Sequence, residues 1–70
     1  MYGKNQHVVP YGDRWAIKGE GSRRATSIHD TQIEATERAR EIARRQRSEL
    51  LVQGRDGEIR SRASPFPPRG

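Results

Sequence analysis

Cysteine is absent from these 70 residues, and its absence removes three chemistries at once. No disulfide staples the fold, no thiolate holds a metal, and no Cys serves as a nucleophile. Long apolar runs are missing as well. No stretch approaches the ~18 consecutive apolar residues that a membrane-spanning helix needs. The opening residues, Met1-Tyr2-Gly3-Lys4-Asn5-Gln6, lack the apolar core of a signal peptide. The expectation is a cytoplasmic protein with no membrane partner. Aromatics are scarce: one Trp, two Tyr and one Phe. That excludes the ladder of interleaved aromatic rings on which single-stranded nucleic acids stack. Apolar residues make up only 30% of the chain and charged residues 33%. A chain this short buries about 60% of its unfolded surface, so its stability depends on well-placed apolar residues or on dimerisation.

The apolar residues that are present are periodic. Gln6-His7-Val8-Val9-Pro10 reads as a short strand ended by a proline, which cannot donate to a ladder. Tyr11-Gly12-Asp13 is a turn. Arg14-Trp15-Ala16-Ile17-Lys18 alternates, with Trp15 and Ile17 on one face and Arg14, Ala16 and Lys18 on the other. The two segments form a hairpin. After the turn Gly19-Glu20-Gly21-Ser22, Arg24 to His29 reads as a weaker third strand with Thr26 and Ile28 on one face.

A helix follows. Thr31 precedes Glu34 by three positions, the spacing of a capping box, and Asp30 adds negative charge at the positive helix end. Ala35, Ala39, Ile42, Ala43 and Gln46 fall on one side at 100° per residue. Three alanines on that stripe predict a helix lying close against a sheet. Arg40, Arg44 and Arg47 fall on the opposite surface, beside Glu37 and Glu41. The pairs Glu34–Arg38 and Glu41–Arg45 are each four apart with the acid first, worth ~0.2–0.5 kcal/mol apiece. Glu49-Leu50-Leu51-Val52-Gln53 is the next strand. Arg55-Asp56-Gly57 turns, and Glu58-Ile59-Arg60 returns as its partner.

The sum is an α+β domain over residues 1–62: an antiparallel sheet in the order β-β-β-α-β-β with one helix packed on one face. The expected core is Val8, Trp15, Ile17, Ile28, Ala35, Ala39, Ile42, Ala43, Val52 and Ile59, with Leu50 or Leu51. One helix cannot cover both faces, so the other sheet face should be partly bare. Residues 63–70, rich in proline, form an extended or flexible tail.

The order and spacing of these segments resemble a family. His7-Val8-Val9-Pro10, Trp15-Ala16-Ile17-Lys18, Arg24-Ala25, Asp30-Thr31-Gln32 with Glu34-Ala35, Ala39 to Ala43, and Gly54-Arg55-Asp56-Gly57-Glu58-Ile59 are together similar to the small bacterial proteins grouped as domain of unknown function 2188. The match covers about residues 7–62. The resemblance implies a layout and carries no mechanism. Family members often end in a Tyr-Gly-x-Asp-Pro-type stretch. Here Ser64-Pro65-Phe66-Pro67-Pro68-Arg69-Gly70 stands instead, without the Tyr or the acid.

No constellation for catalysis stands out. His7 and His29 are the only imidazoles. Neither has a sequence-placed nucleophile or orienting carboxylate. No His-x-x-x-His spacing suggests a metal, and no cofactor fingerprint is present. The serines lack a nucleophile elbow. The expectation is a non-enzyme that acts by binding.

The net charge of +5 points to an anionic partner. The charge is spread evenly, so a solvated, salt-bridged surface is the plain alternative. Arg14, Lys18 and Arg23, with Arg24 at the edge, mark one candidate face for DNA or RNA. Arg40, Arg44 and Arg47 mark a second. The expected phosphate contacts are Arg14, Lys18, Arg23, Arg40 and Arg44. The competing expectation is a homodimeric or accessory protein-interaction module that uses the bare sheet face or an exposed edge.

Overall fold

The computed structural model describes residues 4–63. Strands β1 (Gln6–Tyr11) and β2 (Arg14–Gly19) form the expected hairpin, followed by β3 (Ser27–His29), α1 (Gln32–Gln46), β4 (Leu50–Gln53) and β5 (Ile59–Ala63). The five strands make one sheet in the order β3-β2-β1-β4-β5. The expected tail lies, from residue 64 onward, outside the described residues. Among those residues no helix is long and apolar enough to cross a membrane.

The element order is as expected, but the sheet is mixed rather than antiparallel. β1 and β4 run parallel, with Gln6 beside Leu50 and Val8 beside Val52. The helix explains the difference. A helix of 15 residues is about 22 Å long, enough to carry the chain back along the sheet before β4 begins. The next strand therefore starts at the same end as β1. The remaining pairs, β1–β2, β2–β3 and β4–β5, are antiparallel.

Thr31 caps the helix as its spacing predicted. Its Oγ1 accepts a hydrogen bond from the Glu34 backbone N–H at 3.1 Å. At the other end Arg47 adopts a left-handed conformation, φ 54°, and its N–H turns back to Ala43 and Arg44 carbonyls. Of the two expected ion pairs, Arg45–Glu41 forms at 3.5 Å. Arg38 turns forward to Glu41 at 3.4 Å instead of back to Glu34.

Ala35, Ala39 and Ala43 are fully buried, so the helix backbone sits close over Val8, Trp15, Ile17, Leu50 and Val52. Val8 and Ile17 are completely enclosed, worth about 2 kcal/mol each in apolar surface removed from water. Two expected core residues lie elsewhere. Ile28 pairs with Ala16, which puts it on the helix-free face, 42% exposed. Ile59 pairs with Gln53 on the same side, 50% exposed. Ile42 is only half-buried, and Gln46 is exposed. Both Leu50 and Leu51 are buried, but on opposite faces: Leu50 under the helix, Leu51 beside His7 on the other side.

Arg55 joins the two halves of the sheet. It reaches from the β4–β5 turn to the β1–β2 turn, donating to the Gly12 carbonyl at 2.8 Å and the Asp13 carbonyl at 2.9 Å. Its guanidinium lies 4.6 Å from the centre of the Trp15 ring.

Candidate functional site

The parallel pairing determines which residues gather at each end of the sheet. β1 and β4 begin, and β2 ends, at one end: Gln6 lies beside both Gly19 and Leu50. The β2–β3 loop and the helix C-terminus come to that end too. Lys4 Nζ donates to Ser22 Oγ at 3.4 Å, Asn5 Oδ1 accepts from the Glu49 N–H at 2.9 Å, and Gln6 Nε2 donates to Gln46 Oε1 at 3.4 Å. Lys4, Lys18, Arg23, Arg24 and Arg47 therefore share one end of the molecule. Among the described residues, none of the five has a carboxylate within 4.0 Å. The two acids nearby are engaged: Glu20 with His7 at 3.2 Å and Glu49 with Arg62 at 3.8 Å.

The expected phosphate contacts divide between this end and other regions. Lys18 and Arg23 belong to it. Arg14 lies at the far end of β2 and pairs with Asp30 at 3.4 Å. Arg40 and Arg44 lie on the outer side of α1, where they line a shallow cleft of about 170 Å³ with Glu37 and Glu41. That cleft is a mixed-charge surface. Arg14 and the Arg40–Arg44 pair sit on opposite sides of the sheet, so the five residues make no single surface. Lys4 escaped the sequence reading, Arg24 stood at the edge of the first candidate face, and Arg47 was grouped with Arg40 and Arg44 on the second. Their separation along the chain hides a convergence that only the topology creates.

The helix-free face has its own pattern. Strand register aligns Ile28, Ala16 and Val9 across β3, β2 and β1. One step beyond the Val8–Val52 pair the same row meets Gln53, and then Ile59. The next row toward the cationic end reads Lys18, His7, Leu51 and Arg62. On the other flank Tyr11 pairs with Arg14. A groove of about 300 Å³ opens between this face and the β2–β3 loop, lined by His7, Val9, Lys18 and Gly19 to Ser22.

The two histidines are placed as strand residues. His7 faces Glu20, as above. His29 Nε2 lies 2.8 Å from Ser27 Oγ, two residues away on the edge strand. That is a nucleophile-to-base distance, but among the described residues no carboxylate pairs with His29 to orient it.

A family model described as an uncharacterised protein conserved in bacteria, DUF2188, matches residues 6–64. The chain is 41% identical over 59 residues to the uncharacterized protein YdaT of Bacillus subtilis (strain 168). That alignment covers 84% of this chain and 39% of the relative, so the chain spans well under half of the relative's length. No solved structure matches.

Proposed function

We propose, for a chain that belongs to the bacterial family of domain of unknown function 2188, a non-enzymatic role in binding nucleic acid. One observation carries the reading: Lys4, Lys18, Arg23, Arg24 and Arg47 collect at one end with no carboxylate among the described residues within 4.0 Å of any of them. Cations so placed are available to phosphate oxygens and release condensed counterions when they bind. Arg23 and Arg24 project from a loop, and Arg47 from a helix end, so the surface suits a phosphate backbone more than base edges. Among the described residues Tyr11 is the one aromatic on the helix-free face, and it lies at the opposite end of β1. Sequence discrimination by stacking is therefore not expected.

Five phosphate contacts imply a log–log salt slope of about −4.5 on duplex DNA, or about a 500-fold loss of affinity from 50 to 200 mM salt. Fluorescence anisotropy with a labelled 20-base-pair duplex measures it. The Lys4, Arg23 and Arg24 triple alanine variant should flatten the slope by about 2.7. A control variant at Arg38 and Arg45, both paired with Glu41, should leave it unchanged. Absence of binding at 50 mM salt, or equal slopes in the two variants, overturns the reading.

A further inference from the structure

One cation of the phosphate-binding end sits beside an acid that is turned away from it. Lys18 and Glu20 are two apart in the chain, and His7 pairs with Lys18 across the β1–β2 hairpin. All three line the groove of about 300 Å³ on the helix-free face. There the Glu20 carboxylate lies 3.2 Å from His7 Nε2. Lys18 has no carboxylate within 4.0 Å among the described residues. One acid therefore stands between a cation that is permanent and one that titrates. The other neighbours of His7 do not compete for it. Leu51 flanks it on β4 and is apolar. Arg62 stands one strand further, on β5, and holds Glu49 at 3.8 Å. Lys4 turns to Ser22 Oγ in the loop, and the helix packs on the opposite face.

We infer that Glu20 is a built-in competitor for phosphate at Lys18, and that the protonation state of His7 decides which of the two cations it occupies. The exchange stands on the geometry alone; its effect on phosphate rests on the nucleic-acid reading. Histidine changes charge between about pH 5 and 8, a range in which a lysine stays charged. Protonated His7 holds the carboxylate by a charge-assisted hydrogen bond, roughly twice as strong as a neutral one. Lys18 is then left to phosphate. Neutral His7 holds the carboxylate less well, and it passes to Lys18. The loop backbone stays in place throughout. The Glu20 N–H donates to the Asn5 carbonyl at 2.8 Å and the Ser22 N–H to the Gly19 carbonyl at 2.9 Å, so only the Glu20 side chain rotates. Glu20 is 60% exposed and His7 23%, so protons reach the pair without any opening of the fold. Affinity for duplex DNA therefore rises as the pH falls. An exposed ion pair holds its partners by a factor of about 1.5–5, which sets the change at about threefold.

Two measurements test it, the first without nucleic acid. Side-chain ¹³C signals of His7, Glu20 and Lys18 are followed from about pH 5.5 to about pH 8. The Glu20 carboxyl and the Lys18 side chain should both move at the His7 midpoint, and Lys18 should stop moving in Glu20→Gln. The second is anisotropy with the labelled duplex at both ends of that range in about 50 mM salt. The wild-type chain should bind about threefold tighter at the acid end. Glu20→Gln should bind at the alkaline end as tightly as the wild type does at the acid end. His7→Gln and Lys18→Gln should each lose most of the pH effect, and His29→Gln should keep it. None of the four side chains belongs to the buried core, and Trp15 emission checks that each variant is folded. Three results overturn the inference: a Glu20 signal that does not follow His7; a Lys18 response that persists in Glu20→Gln; or the full pH effect in Lys18→Gln, which makes His7 a plain additional cation. Absence of duplex binding at both pH values overturns the nucleic-acid reading and the competition for phosphate with it, while the first measurement still decides the exchange.

Discussion

Replacing Arg55 by Ala tests the bridge between the two halves of the sheet. The side chain makes two short hydrogen bonds to the Gly12 and Asp13 carbonyls, and a longer one to the Arg14 carbonyl at 3.4 Å. It also covers the Trp15 ring at 4.6 Å. The cation–π contact lies between the exposed and desolvated limits, because Trp15 is 6% exposed while Arg55 remains open to solvent. We take it as about 1 kcal/mol. The hydrogen bonds have a charged donor, but water replaces them in the variant, so they add about 0.5 kcal/mol together. The expected loss is about 1.5 kcal/mol. For a domain of this size that lowers Tm by about 6–12 °C. At an m-value of about 1 kcal/mol/M it moves the urea midpoint down by about 1.5 M. Trp15 is the only tryptophan, so its emission reports both unfolding and the local change. The native spectrum should shift to the red as the indole face opens to water. Arg55→Lys keeps the charge and loses the planar fork that spans two carbonyls, so it should recover less than half of the loss. A change below about 0.3 kcal/mol in Arg55→Ala, or full recovery in Arg55→Lys, would refute the bridge.

Substitutions at three further positions probe the helix. Thr31→Ala removes the cap on the Glu34 N–H and should destabilise by about 1 kcal/mol in urea unfolding, whereas Thr31→Ser should be near neutral. Ala39→Leu adds volume where the helix backbone meets the sheet; a loss of about 2–3 kcal/mol is expected, read by circular dichroism on heating. Arg47→Gly has opposite effects on stability and binding. It relieves the left-handed φ of 54° and should stabilise by about 0.5 kcal/mol, less than the full strain because Gly also loosens the unfolded chain. The same change removes one cation and should flatten the duplex salt slope by about 0.9.

The helix and the strands are legible in the sequence because local signals determine them. Thr31 and Glu34 mark the helix start, the three alanines mark its packed side, and Trp15 and Ile17 alternate with Arg14 and Lys18. The direction of β4 carries no such signal. Leu50-Leu51-Val52 reads the same whether it pairs parallel or antiparallel, and only the length of the crossover decides. Ile28 and Ile59 show a related gap. An isolated isoleucine in a short strand suggests burial, but its face follows from its cross-strand partner, Ala16 or Gln53. The cationic end is the least legible, since Lys4 meets the β2–β3 loop only when the β1–β2 hairpin closes, and Arg47 joins them only when the helix C-terminus comes to the same end.

That parallel seam also has a consequence for synthesis. The hairpins close over short loops, but the seam joins Asn5 to Glu49, 44 positions apart. Contacts so distant form late, because the loop they close must first lose its entropy. On the ribosome β1, β2 and β3 emerge first, with Val8, Trp15 and Ile17 facing a helix and a strand that have yet to be made. Translation at about 5–20 residues per second leaves that face open for on the order of seconds. The nascent chain is therefore stickiest on the side that the finished protein hides most completely.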